Sequence, residues 1–223
     1  MSALTVSKED EARVKGMGFL NNRGTDLFSA RVLTVNGKVT AAQRRCMAEA
    51  AEKFGNGNLL YTTRLSVEIQ GIPYDKIEEF QQFIAKEGLV TGGTGAKVRP
   101  VVSCKGTTCQ YGLLDSFAIS EEIHHRFYEG YHTVKLPHKF KIAVGGCPNN
   151  CVKPDLNDLG IIGQRIPEFH KELCKGCKKC AVEAACPIGA SKVIDGVLVR
   201  DEEKCNHCGR CIGHCRFDSI VDG

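Results

Sequence analysis

The chain has 223 residues, 42% of them hydrophobic, with thirteen cysteines and a formal net charge of +4. That length accommodates a hydrophobic core plus a small appended module, and so modest a charge argues against a nucleic-acid-binding surface. No apolar run approaches the length of a membrane span, and the N-terminal stretch MSALTVSKEDEARVKG lacks the apolar centre of a secretory leader, so a cytoplasmic protein away from membranes is expected.

In chain order, residues 27–35 read as a strand closed by the Asn36-Gly37 turn, and residues 40–54 read as a helix. After Gly55-Asn56-Gly57, residues 58–70 read as a second strand and 74–87 as a second helix. This alternation fits an α+β layer. Gly88 and Gly92-Gly93-Thr94-Gly95 then mark a flexible passage. A valine-rich run, Val98 to Val102, leads to Cys104-Lys105-Gly106-Thr107-Thr108-Cys109. Leu113, Leu114, Phe117, Ile119, Ile123 and Phe127 recur with helical period, and His124-His125 reads as a partly exposed face of that helix. A strand-like run from Phe140 to Val144 enters Gly145-Gly146-Cys147-Pro148-Asn149-Asn150-Cys151. On such a strand Lys139 and Lys141 project to the same side. Cys46, inside the first helix, reads as a small core residue.

The other twelve cysteines fall into three groups. In a reducing compartment, short regular spacing points to metal ligands rather than disulfides. Cys174, Cys177 and Cys180 with Cys186, then Cys205, Cys208 and Cys211 with Cys215, form a doubled C-x2-C-x2-C pattern with a remote fourth cysteine each time. Three thiolates on a tight loop hold three corners of a cubane, and the fourth comes from the other half. One [4Fe-4S] cluster is thereby assigned to Cys174, Cys177, Cys180 and Cys215, the other to Cys186, Cys205, Cys208 and Cys211. Zinc hooks, the alternative, would use two cysteines per hook and leave the third in each run without a purpose. Cys104, Cys109, Cys147 and Cys151 stand at two separated strand ends, which converge on one cubane if the strands are neighbours.

Residues 166–223 resemble the bacterial two-cluster ferredoxins, with five residues instead of three between Cys180 and Cys186 and no proline after Cys215. The C-x4-C and GGCPNNC pair resembles the cluster signature of the sirohaem-containing sulfite and nitrite reductases, where the larger assimilatory enzymes usually have five residues between the first two cysteines. Because the repeat unit of those enzymes is found here once, the chain resembles the small single-repeat sulfite reductases of anaerobes. The fold this implies is α+β: a ferredoxin-like layer (1–95), a sirohaem- and [4Fe-4S]-binding half-domain (96–165) and an appended 2[4Fe-4S] ferredoxin domain (166–223).

The same resemblance implies sirohaem and three [4Fe-4S] clusters as cofactors, with Cys151 bridging cluster and sirohaem iron. It implies that Thr62, Thr63 and Arg64 bind the macrocycle's carboxylates beside Asn149 and Asn150. Arg31, Arg99, Lys139 and Lys141 match the residues that face the oxyanion. The implied activity is six-electron reduction of sulfite to sulfide. Nitrite reduction to ammonia by the same residues, and a non-catalytic electron-transfer subunit, are the alternatives. With no flavin or nicotinamide fingerprint in the chain, the electron donor is expected to be a separate low-potential protein.

Overall fold

A computed structural model describes residues 6–223 of the chain. By packing it divides into two compact units, each discontinuous in sequence. The first comprises residues up to Cys104 with Phe117–Val144 and Val152–Gly160, and the second comprises Lys105–Ser116, Gly145–Cys151 and Ile161–Gly223. Among the described residues no helix is long and apolar enough to cross a membrane.

The first unit opens with α1 (Lys8–Gly16), whose N-terminus is capped by the Ser7 hydroxyl accepting from Asp10 N at 3.1 Å. Strands β1 (Phe19–Asn21), β2 (Leu27–Val32), β3 (Leu59–Tyr61) and β4 (Val67–Pro73) form an antiparallel sheet in the order β1-β2-β4-β3. Two helices, α2 (Ala41–Phe54) and α3 (Ile77–Ala85), join this sheet in one core. At the start of α2 the Thr40 side chain accepts from Gln43 N, and the Gln43 side chain accepts from Thr40 N, satisfying two otherwise orphaned donors. Phe19, Phe28, Met47, Ile69, Ile72 and Phe80 are fully buried between the layers. A single 3-10 turn, Tyr74–Lys76, precedes α3.

Several elements depart from the sequence reading. Residues 58–70 are two strands rather than one, because the chain reverses between Tyr61 and Val67. Thr62 N donates to Ser66 O at 2.9 Å, and Leu65 sits in the left-handed region at φ 60°. β4 begins only at Val67, and Thr62-Thr63-Arg64 occupies the hairpin turn with Leu65. The first strand stops at Val32, while Val35 and Lys38 bridge across Asn36-Gly37, both at positive φ as a two-residue hairpin requires. The long helix starts only at Ser116: α4 (Ser116–Ile123) continues as a π-helical turn over His124–Glu129, with Gly130 N donating to His125 O. His124 is buried against Tyr128 and only His125 is exposed, so the pair is not one exposed face.

β5 (Val102–Ser103), β6 (Ile142–Gly145) and β7 (Leu159–Ile162) make a three-stranded sheet with β6 central and β5 parallel to it. Lys139 and Lys141 lie just before β6 and flank Phe140, which bridges Val98 in parallel.

In the second unit β8 (Pro167–Phe169) pairs with β11 (Ile220–Asp222), and β9 (Ser191–Ile194) pairs with β10 (Val197–Arg200), both antiparallel. The short helix α5 (Ala181–Ala185) follows Cys180 directly. Val182, Leu198, Cys211 and Ile220 form the small core of this unit, with Phe169, Val193 and Ile212 packed against it.

Phe80 meets Phe19 and Phe54 edge-on, each with ring centroids 5.9 Å apart. Replacing it by alanine is expected to cost about 3–5 kcal/mol. Urea unfolding followed by far-ultraviolet circular dichroism checks this, and a loss under about 1 kcal/mol would mean that the helix-sheet core is not what limits stability.

Candidate functional site

Seven side chains named from the sequence line a single open cavity of about 310 Å³: Arg31, Thr62, Thr63, Arg64, Arg99, Lys139 and Lys141. All seven belong to the first unit. They arrive from separate places in the chain: β2, the β3-β4 turn, the segment before β5 and the segment before β6. The lining carries five cations and no carboxylate.

Each arginine is fixed by acceptors. Arg31 stands opposite Glu68 in the β2-β4 register, and its Nε and Nη2 both donate to Glu68 Oε1, at 2.9 and 2.5 Å. Its Nη1 donates to Gly93 O at 3.3 Å. Arg64 donates from Nη1 to Pro100 O at 3.2 Å and from Nη2 to Asn157 Oδ1 at 2.7 Å. Arg99 donates from Nη1 to the same Gly93 O, while its Nε is buried without a hydrogen-bond partner. Burial, followed by repulsion from Arg99, lowers the Arg64 pKa from its ordinary value, and burial followed by repulsion from Arg31 lowers that of Arg99. Both shifts have burial as their largest cause, with the neighbouring guanidinium second. Lys141 is half-buried and its backbone N–H is held by Asp158 at 2.7 Å, whereas Lys139 is exposed.

Such a set suits an oxyanion or the carboxylates of a macrocycle. The guanidiniums are oriented in advance by their acceptors. Glu68, Gly93 and Asn157, which orient the arginines, escaped the sequence reading. Glu68 lies in the alternating run of β4, but only the strand register discloses that it faces Arg31.

The first cysteine group stands on the loops that leave β5 and β6. These strands are parallel neighbours, with Val102 opposite Ala143 and Ser103 opposite Val144, and Cys104 N donates to Val144 O at 3.0 Å. Within the second unit, Cys109 ends a 3-10 turn over Gly106–Thr108, and Leu113 N donates to Gly146 O at 2.8 Å. The Cys109 loop is thereby tied to the residue that precedes Cys147. Asn150, at φ 55°, turns the backbone between Cys147 and Cys151, its N–H donating to Cys147 O at 3.2 Å. Asn149 and Cys151 are exposed.

In the second unit Cys186, Cys205, Cys208 and Cys211 line one small pocket. Burial raises the Cys211 thiol above its ordinary value, and charge at Cys205, Cys208 and Cys186 raises it further. Burial also works against the Cys186 thiolate. Hydrogen bonds from the backbone of Ser191, Ile188, Ala190 and Gly189 outweigh it and lower the pKa. Ala190 N reaches Cys186 Sγ at 3.2 Å. Cys174, Cys180 and Cys215 pack against one core, and Cys177 is half-buried on the same loop. Burial at Cys215 is likewise outweighed, first by the Ser219 hydroxyl 3.0 Å from its Sγ, and its pKa is lowered.

Each C-x2-C-x2-C loop has a left-handed residue just before its second cysteine: Gly176 at φ 57° and His207 at φ 54°. A β-carbon on Gly176 would stand 2.1 Å from Gly196 O, so that loop excludes any larger residue. Among the described residues no three His, Cys, Asp or Glu side chains gather at the spacing of a single metal ion. Sets of four cysteines and the backbone N–H groups directed at sulfur suit four-iron clusters.

Comparison with known proteins agrees with this geometry. The nitrite/sulfite reductase ferredoxin-like half domain matches residues 21–86, and the nitrite and sulphite reductase 4Fe-4S domain matches residues 94–177. The chain belongs to the nitrite and sulphite reductase family. A 4Fe-4S binding domain matches residues 198–221, and iron-sulfur ligation and an oxidoreductase role follow at the level of the family. The chain is 37% identical to the coenzyme F420-dependent sulfite reductase of Methanocaldococcus jannaschii, over 60% of this chain and 21% of that protein. It is 28% identical to one component of the anaerobic sulfite reductase of Salmonella typhimurium, over 81% of this chain and 56% of that component. It thus spans about a fifth of one relative and about half of the other. A crystal structure of dissimilatory sulfite reductase I shares the fold, with a TM-score of 0.64 at 20% identity over 88% of this chain and 52% of that one.

Cys46, outside the three cysteine groups in sequence, is buried with its Sγ 3.9 Å from Phe83 O. Burial, then the charges of Glu87 and Glu49, raises its pKa above the ordinary thiol value. The reactive thiolate therefore forms only at higher pH than in a free cysteine. Alkylation by iodoacetamide, read peptide by peptide by mass spectrometry, should be slower at Cys46 than in a cysteine-containing reference peptide at pH 8. Its pH-rate curve should lie to the alkaline side, and a curve coinciding with the reference would contradict this.

Proposed function

We propose that this chain catalyses the sirohaem-dependent six-electron reduction of sulfite to sulfide, with electrons delivered by an external low-potential protein. What supports this reading most is the cavity itself: residues predicted to face oxyanion and macrocycle carboxylates share one lining, with no carboxylate among them. Thr62, Thr63 and Arg64 would hold carboxylates of the macrocycle, and Asn149, Asn150 and Cys151 would be its neighbours on the GGCPNNC loop. Cys104, Cys109, Cys147 and Cys151 would ligate the first [4Fe-4S] cluster, and the eight cysteines from Cys174 to Cys215 the other two. When bound, sirohaem and the three clusters supply the open iron site and the electrons.

The chain's own residues then divide the remaining work. Arg31 and Arg99 are guanidiniums, protonated at any working pH, so they orient and neutralise the oxyanion without giving up a proton. Arg31 Nη1 and Arg99 Nη1 share the Gly93 carbonyl, which sets the two forks side by side. The Nζ atoms of Lys139 and Lys141 carry the transferable protons of that lining. Loss of three oxygens as water consumes protons, and ammonium groups on the cavity wall are placed to deliver them. Negative charge developing on a leaving oxygen is stabilised by the same cations.

Replacing Lys139 and Lys141 together by alanine is expected to lower kcat for sulfite by about 10²–10³-fold with the visible spectrum unchanged. Turnover within about twofold of the parent would remove both lysines from the mechanism. Steady-state comparison of the two oxyanions tests the substrate: a higher kcat/KM for nitrite would transfer the reading to nitrite reduction to ammonia. Protein with full iron and labile sulfide but no sirohaem absorption would identify an electron-transfer subunit instead.

A further inference from the structure

The two cysteine loops of the second unit differ in the electrostatics of their surroundings. Around the first, Lys171, Lys175, Lys178 and Lys179 fall within nine residues, all exposed, and none has a carboxylate partner among the described residues. The one acidic residue of that stretch, Glu172, is engaged by His170 Nδ1 at 3.4 Å. Around the second, the cations are occupied. Arg200 Nη2 meets Glu202 at 2.6 Å, Lys204 Nζ meets Asp201 at 3.1 Å, and the Arg210 guanidinium lies over the Tyr111 ring at 5.1 Å. Asp201, Glu202 and Glu203 balance Arg200, Lys204 and Arg210 there, so residues 200–211 carry no net formal charge.

Compensation of anionic thiolates does not account for the difference, since each loop supplies three cysteines. Crowding four unpaired ammonium groups into one short loop raises their mutual repulsion, which an anionic partner relieves. Cys174 and Cys180 pack inward against the core, while Leu173, 39% exposed, adds an apolar spot beside the lysines. A charged rim around a small apolar centre is the anatomy of a docking patch.

We propose that the Lys171–Lys179 loop docks an acidic one-electron carrier protein, whose negative face meets these four lysines. This rests on the donor half of the proposed function and adds where the donor binds and what chemistry it presents. The charge-balanced second loop offers the same partner no comparable attraction, and this difference fixes which end of the unit it approaches.

The test uses the full-length, cluster-loaded protein and, as probe, a reduced bacterial 2[4Fe-4S] ferredoxin of net negative charge. Association is followed by stopped-flow absorbance at low and high ionic strength, without sulfite. The Lys175→Glu/Lys178→Glu/Lys179→Glu variant is expected to associate about ten- to a hundred-fold more slowly at low ionic strength, a difference that shrinks as salt is added. The Gln triple variant at the same positions should fall between it and the parent, and it decides the matter if the Glu variant fails to retain iron. A matched control, Lys192→Glu/Lys204→Glu/Arg210→Glu, should stay within about threefold of the parent. The final extent of reduction by excess dithionite should be unchanged throughout. Parent-like association of the triple variants, or equal slowing in the control, would overturn the proposal. Failure of sulfite turnover would remove the proposed activity alone, because association is read without substrate.

Discussion

Gathering basic side chains around one hollow raises their mutual repulsion, and the first unit is arranged to sustain it. Arg31, Arg64 and Arg99 lose solvation where they are partly buried, and the lowered pKa values of the last two show that burial and neighbouring guanidiniums both work against their charge. The offsetting contacts come from four parts of the chain: Glu68 on β4, the Gly93 carbonyl in the glycine-rich passage, the Pro100 carbonyl before β5, and Asn157 before β7. A partly buried charge is tolerated when its donors are matched. Here the matching is incomplete at the buried Arg99 Nε, and the lining of the hollow carries five cations and no carboxylate, a composition that favours an anion.

The second unit has the opposite problem, since thiolates must be kept in apolar surroundings. Its small core is partly built from cysteines, with Cys174, Cys180, Cys211 and Cys215 in contact with Val182, Leu198 and Ile220. Desolvation opposes the thiolate form, as at Cys211. Where the turn aims several backbone N–H groups at sulfur, as at Cys186, the balance reverses without any added cation. Turns rather than helices serve this purpose because consecutive donors in a tight loop can point at one atom. The lysines of the first loop are exposed at the surface.

Much of this was legible in the chain. The C-x2-C-x2-C spacing foretold the two loops of the second unit because a ligand set on one short loop is a local property. Exchange of the fourth ligand between halves was expected from reach alone, and one pocket does bring Cys186 together with Cys205, Cys208 and Cys211. The Asn36-Gly37 turn was legible for the same local reason. Less legible were the elements where tertiary contacts act. Residues 58–70 look continuous in their apolar content, yet a turn held by Thr62 and Ser66 divides them. Asn36 gives no sign in sequence that its side chain is buried, donating to Phe117 O and accepting from Ser120 Oγ, and so tying the turn to α4.

The sequence alone determined the number and grouping of the cysteines, the α+β character of the layer and the identities of the basic residues, because spacing and residue type are carried along the chain. Only the tertiary structure decided that Arg31, Arg64, Arg99, Lys139 and Lys141 share one lining, which of their donors are occupied, and which lysines of the second unit lack a partner. Those outcomes depend on strand register and on turns that bring residues up to 93 positions apart to hydrogen-bonding distance. Separations of that kind leave no periodic trace in a sequence, since the contact is set by the sheet and not by the intervening residues.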